Sequence, residues 1–200
     1  MEQRIDPSKT ILLSLHMQHD IVSKDGKFAD FFADQAEERE VVKKSAKLIN
    51  SARLCNVPVI HATVCFEHDY SDLNPNSPLL AMVKQTNALR KNTKGAEILE
   101  EVKPLKNEVV ISHQRVGPYE NTELSTVIKE NGTENIIILG VATNIVVETS
   151  ARIASDEGYH VYVVEDCCST DSIEAHEATL KSLSLLTTIT TLEDIISSFR

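Results

Sequence analysis

The sequence predicts an α/β fold in which a mostly parallel sheet is covered by helices on both faces. Three observations carry that expectation. Short apolar runs of strand length recur between amphipathic stretches of helix length, the alternation that βαβ units produce. Residues 134–166 read as one complete strand–turn–helix–strand unit. Its first strand (Ile136, Ile137, Ile138, Leu139) ends at Gly140, its helix opens at Thr143 or Asn144 and closes at Gly158, and its second strand holds Val161 to Val164. The 200 residues are 42% hydrophobic and contain no repeat, linker or low-complexity tract, so residues 1–200 are expected to form a single domain with a substantial core. Ligands in open α/β sheets bind past the carboxyl ends of strands, where helix N-termini point free N–H groups. GVATNIV, residues 140–146, is therefore expected to line the site.

The elements follow in order. Residues 10–15 suit a strand buried on both faces and run straight into His16-Met17-Gln18-His19-Asp20. Lys24, Asp25 and Gly26 mark a loop, and the following Phe28, Phe31 and Phe32 read as a mobile or partner-facing segment. A helix is expected over 37–56, with Val42, Ala46, Ile49 and Arg53 on one stripe widened by Val41, Leu48 and Ala52. Asn56 tolerates the left-handed stop and Pro58 follows it. Residues 57–65 form a second strand. Two prolines in SDLNPNSPLL make a loop that leads into a short helix at 79–84, with another short helix over 95–102. Irregular connections of this length usually form sites. A third strand at 108–112 delivers His113-Gln114-Arg115, and a helix at 122–130 turns Leu124, Val127 and Ile128 inward. After the 134–166 unit, Ser172 can cap a helix reaching residue 185, with Glu174 in its first turn. A strand at 187–190 and a helix at 192–199 finish the chain.

Composition excludes several functions. A net charge of −10 supplies no basic face for nucleic acid. No apolar run approaches the roughly 20 residues that span a bilayer. The polar opening MEQRIDPSK resembles no secretory signal, and Cys55, Cys65, Cys167 and Cys168 lack metal-ligand spacing. Reduced thiols in the cytoplasm are the expectation.

Four segments, ILLSLHMQHDIV at 11–22, ISHQRVGPYENTEL at 111–124, LGVATNIVVETSARIASDEGYHVYVVEDCCST at 139–170 and the HEATLKSLSLLTTITTLEDII tail, together resemble the isochorismatase-like (cysteine hydrolase) superfamily. The resemblance covers nearly the whole chain in order. It implies a six-stranded, three-layer α/β/α sandwich of Rossmann-like order, assembly into homodimers or higher homo-oligomers, and a cis peptide bond between Val141 and Ala142. It also implies an aspartate after the first strand, a lysine after the third and a nucleophilic cysteine in the first turn after the fourth. Those positions fall on His16, His113 and Val146. Valine has no lone pair with which to attack a carbonyl, so the family's thioester chemistry is not expected.

Three readings of His16 and His113 stay open: an acid–base or ligand-binding pair near neutral pH, two ligands of a metal completed by Asp20 or His61, or polar residues tolerated at a lapsed site. HATVCFEHDY, around His61 and His68, does not match the Asp-x-His metal pattern of the nicotinamidases, and neither a metal nor another cofactor is expected. Gln18 and Asp20 are expected to fix the loop after the first strand. Val141, Ala142, Thr143 and Asn144 should shape the helix start, with Thr143 or Asn144 as its cap, and Arg115 and Tyr119 should stand at the rim. The resulting expectation is a small-molecule-binding or oligomeric relative without cysteine-hydrolase activity. The alternative is a non-canonical hydrolase of a small amide, ester or vinyl ether through His16 and His113.

Overall fold

The computed structural model describes residues 4–199, so Met1 to Gln3 of the polar opening lie outside it. Strand β1 (Thr10–Leu15) is buried along its whole length, as an unbroken apolar run requires. It is followed by three helices, α1 (His19–Val22), α2 (Ala29–Glu38) and α3 (Val41–Leu54). The Phe-rich segment is thus helical and mostly packed rather than a mobile loop. Phe28, Phe32, Ala33 and Ala36 recur at helical spacing and are buried, while Phe31 faces solvent. The helix expected over 37–56 is also shorter at its start, because Glu40 adopts a left-handed conformation (φ 54°) and separates α2 from α3. Asn56 provides the expected left-handed stop (φ 57°).

Strand β2 (Val59–Val64) and helix α4 (Pro78–Thr86), capped by Ser77, come next. The helix expected over 95–102 is two separate 3-10 turns, Lys94–Ala96 and Glu100–Val102. Then follow β3 (Val109–His113), α5 (Leu124–Glu130) and β4 (Asn135–Val141). A π-helical turn, Thr143–Val147, runs directly into α6 (Glu148–Asp156). The last elements are β5 (His160–Ser169), α7 (Ile173–Leu183), β6 (Thr188–Thr190) and α8 (Leu192–Ser198). Ser172 caps α7 by accepting from the Ala175 N–H, as its sequence position suggests.

The strands are ordered β3-β2-β1-β4-β5-β6, and every pairing is parallel. The sheet is therefore all-parallel rather than mostly so. Alternation along the strands sends side chains into two cores. Leu12, Ile137, Leu139 and Val141 pack with Leu48, Ile49 and Ala52 of α3 on one face. Ile11, Leu13, Leu15, Ile136 and Ile138 pack with Leu124 of α5 and Ala151 and Ala154 of α6 on the other. The result is the three-layer α/β/α sandwich. Among the described residues no helix is long and apolar enough to cross a membrane.

Chain direction across the sheet reverses between β1 and β4, and this switch point positions the site. Leu15 is registered against Gly140 there. Gly140 has φ 139°, and a Cβ on it would lie 2.2 Å from the Leu15 carbonyl oxygen. Only glycine meets both constraints. Gly140→Ala is accordingly expected to destabilise the fold by about 3 kcal/mol. A urea midpoint close to that of the unsubstituted protein would contradict this close contact.

Candidate functional site

Strand β1 stops where its chain turns left-handed at His16 (φ 56°), which swings the imidazole off the strand axis. His113 is the last residue of β3, two strands away. Neighbouring strands lie about 4.8 Å apart, so neither ring alone spans the carboxyl end of β2. The two rings meet above it instead, with Nε2 of His16 2.9 Å from Nε2 of His113.

The hydrogen positions follow from what lies behind. His113 Nδ1 is 3.1 Å from the Arg115 carbonyl oxygen, which can only accept, so Nδ1 carries the proton. A neutral His113 then offers a lone pair at Nε2, and His16 Nε2–H must donate to it. His16 Nδ1 is left unprotonated and has no hydrogen-bond partner among the described residues. Both rings are neutral at physiological pH. Burial pushes His113 down to about 4, partly offset by its bond to the Arg115 carbonyl. Burial, reinforced by repulsion from His113, holds His16 well below the usual imidazole range.

His16 forms part of the wall of a cavity with about 500 Å³ of atom-free space, its open mouth included. Val141, Ala142 and Ile145 form one side, where β4 gives way to the π-turn, and Val64 ends β2 beside them. Ile21 comes from α1, Phe28 directly precedes α2 and Phe32 lies within it, and Leu79, Leu80 and Val83 come from α4, with Leu89 beyond. The polar residues of this lining are His16 and Arg115. The Arg115 guanidinium makes no hydrogen bond or ion pair among the described residues.

The structure thus brings His16, His113, Arg115, Val141 and Ala142 together, and the Val141–Ala142 bond is cis. It does not bring the other candidates there. Val146 is fully buried in the opposite core with Leu15 and Ile111, so residues 140–146 line the cavity only in part. Tyr119 also packs against that opposite core, with its hydroxyl buried and unpartnered, so it is no rim residue. The aromatic ring found apolar company behind the sheet that its sequence position could not reveal. Neither Thr143 nor Asn144 caps a helix. Thr143 Oγ1 is bonded to His176 Nδ1 (2.8 Å), and Asn144 Oδ1 accepts from Thr170 Oγ1 (2.5 Å). The π-turn starts at Ala142 without a side-chain cap.

Gln18 and Asp20 brace the cavity from behind, as expected of them. Gln18 pairs with both backbone groups of Val64 and reaches the Ala96 carbonyl. Asp20 accepts from the N–H groups of Leu89 and Lys27 (2.7 and 3.3 Å). Gly95 backs onto that carboxylate so closely that a Cβ would lie 2.1 Å from it. Sequence reasoning missed His176 and Arg39. Arg39 donates to His176 Nε2, to the Cys168 and Glu165 carbonyls and to the Glu165 carboxylate, tying α2, β5 and α7 to Thr143. The only sequence signal for this network was His176 itself, in the HEATL segment.

The isochorismatase domain model matches residues 10–194. The chain belongs to the isochorismatase-like cysteine hydrolase superfamily. It is 30% identical over 183 residues to the uncharacterised isochorismatase family protein YwoC of Bacillus subtilis, covering 88% of this chain and 86% of that one. It is 24% identical over 193 residues to ureidoacrylate amidohydrolase RutB of Acinetobacter baylyi, covering 90% and 79%. The crystal structure of a cysteine hydrolase from Pseudomonas syringae pv. phaseolicola superposes with a TM-score of 0.87 at 22% identity, covering 98% and 94%. Pyrazinamidase of Pyrococcus horikoshii in complex with zinc gives 0.75 at 20% identity, covering 92% and 99%.

The residues of this isochorismatase-like chain do not fit a metal of that kind. Among the described residues no three His, Cys, Asp or Glu side chains converge. The nitrogens of His16 and His113 lie closer than the ~3.3 Å separating two ligands of a tetrahedral zinc. Asp20 is engaged as above, His61 Nε2 is bonded to Glu108 (3.1 Å), and His68 is exposed. Burial pushes the Cys168 thiol up to about 12 and raises Cys167 and Cys65 as well, the reverse of what activates a thiol.

The neutral pair has a consequence for stability. An unfolded chain protonates histidine near pH ~6.5, whereas folded His113 does so only at about 4. Between those values the unfolded state binds more protons, so stability falls as pH drops from about 6.5 toward 4. His61, lowered by its burial, acts with the same sign. His113→Asn is expected to reduce the slope of unfolding free energy against pH in this window. An unchanged slope, measured by urea titration at several pH values, would show that His113 is not held neutral.

Proposed function

We propose that this isochorismatase-family homologue binds a small molecule in the cavity beside His16 and does not carry out cysteine-hydrolase chemistry. The observation that supports this most directly is the exchange at the three family positions. A neutral imidazole pair occupies the places of the aspartate and lysine, and Val146, in the place of the cysteine, is buried on the far side of the sheet. A cavity lies beside the pair, walled by apolar side chains from α1, α2 and α4. That is the form of a ligand site.

A second reading has its own support. The free Nδ1 of His16 lies where a general base would meet a substrate proton, and the amidohydrolase and pyrazinamidase names of relatives make small amides the first substrates to try. The reaction would be direct hydrolysis, with water attacking the carbonyl while His16 takes its proton, and no covalent intermediate. Assembly into homodimers or higher oligomers is part of the proposal, and exposed Leu54 (85%) and Leu185 (86%) are compatible with it.

Nicotinamide, ureido- and carbamoyl compounds and isochorismate form the panel that separates the readings. Binding without chemistry is expected to raise the unfolding temperature by about 5–10 °C at 100-fold excess over Kd, with no product formed. Turnover that disappears in the His16→Ala, His113→Ala double variant would overturn the binder in favour of the second reading. Turnover that survives it but is abolished by thiol alkylation would overturn both.

A further inference from the structure

The walls of the cavity, its single lone pair and its single cation each restrict what it can hold. Apolar side chains from α1, α2, α4, β2, β4 and the π-turn enclose a small open-mouthed space suited to a compact apolar body. The lone pair belongs to His16 Nδ1, and its character is fixed from outside the cavity. The Arg115 backbone carbonyl accepts from His113 Nδ1–H, His113 Nε2 accepts from His16 Nε2–H, and His16 Nδ1 is thereby left as an acceptor only. A carbonyl oxygen or an ether placed against it would bring two acceptors together in an apolar enclosure, which is costly where water cannot intervene. A hydroxyl or N–H placed there completes the chain.

The cation is Arg115. Its carbonyl faces His113, the residue is part of the lining of the same cavity, and its guanidinium has no acidic partner within ion-pair distance among the described residues. This holds in a chain with 30 acidic against 20 basic residues. A guanidinium beside an apolar cavity is suited to a planar carboxylate, which it can grip through two N–H groups.

Resting on the cavity as a ligand site, we propose that its ligand is a small carboxylic acid with a compact apolar body and a hydroxyl or N–H donor at the end remote from the carboxylate. The donor meets His16 Nδ1 and the carboxylate meets Arg115. The same residue, Arg115, thus sets both ends of the specificity, one through its side chain and the other through its backbone.

The test uses the full chain and calorimetry with three sets of probes: the 3- and 4-hydroxyphenylacetates, their methyl ethers, and the matching hydroxyphenylethanols. One of the hydroxy acids is expected to bind about tenfold or more tighter than its ether and than its alcohol. Arg115→Gln keeps the backbone carbonyl, and should remove the preference for acid over alcohol while leaving hydroxyl over ether intact. Long-range proton–nitrogen spectra of the unliganded protein should show His16 Nδ1 unprotonated, a readout that needs no substitution. Ethers binding as tightly as the hydroxy acids would overturn the donor requirement. Alcohols binding as tightly as the acids would overturn the carboxylate. If only neutral probes such as 4-methylanisole bind, the ligand class falls and the cavity remains a ligand site. If no probe of either kind binds at millimolar concentration, both fall.

Discussion

Two imidazoles whose Nε2 atoms lie 2.9 Å apart must hold one hydrogen between them. Two hydrogens would collide, and none would leave lone pairs facing each other. The facing nitrogens must therefore be complementary, one protonated and one bare. The Arg115 carbonyl sets that order by holding the proton on His113 Nδ1, and burial keeps both rings neutral. The rest of the carboxyl edge is arranged around that requirement. The left-handed turn at His16 aims one ring, the end of β3 supplies the other, and the end of β2 lies beneath them. Gln18 fixes that end by satisfying both backbone groups of Val64, so the end of β2 cannot drift without breaking two buried hydrogen bonds.

The cavity walls are tied to the same frame by buried polar groups rather than by apolar packing alone. Asp20 joins α1 to the segment carrying Leu89, and Gly95 is needed so that the chain can pass behind it. On the opposite wall, Arg39 can only donate, so His176 Nε2 accepts and His176 Nδ1–H is directed at Thr143 Oγ1. Thr143 follows Ala142, a cavity-lining residue, and Arg39 follows α2, which contributes Phe32. One guanidinium thereby couples two walls. Breaking a network of this kind leaves buried polar groups unpaired, which costs more than the loss of any single bond.

Much of the framework was legible in the sequence because it depends on local or strand-length patterns. The unbroken apolar run at β1, the glycines at 140 and 158, the stop at Asn56 and the cap at Ser172 each reflect a constraint that a few neighbouring residues impose. What escaped depends on partners distant in sequence. Phe28 and Phe32 read as a mobile or partner-facing segment because the surfaces that α2 packs against include β5, more than 120 residues further on. Thr143 and Asn144 are good capping residues by type, but His176 and Thr170, each 26 or more positions away, compete successfully for their oxygens. Tyr119 shows the same limit, since nothing nearby reveals which face of the sheet it will reach. The meeting of His16 with His113 was suggested only by the family resemblance, because 97 residues separate them.

The identities at the three family positions are mutually consistent in physical terms. An aspartate beside a lysine offers two charges that neutralise each other and can serve a thiol. With valine in the thiol's place, such charges would remain at the rim of an apolar cavity with no reaction to stabilise, and their desolvation would be a cost without compensation. Two neutral imidazoles satisfy each other through one hydrogen bond and a backbone carbonyl and carry no charge into the cavity. Replacing a single member would not achieve this. A histidine facing lysine would put two donors together on protonation, and a histidine facing aspartate would be drawn toward its charged form. The two rings satisfy each other only as a pair, and in that form they present one lone pair, at His16 Nδ1, and no charge.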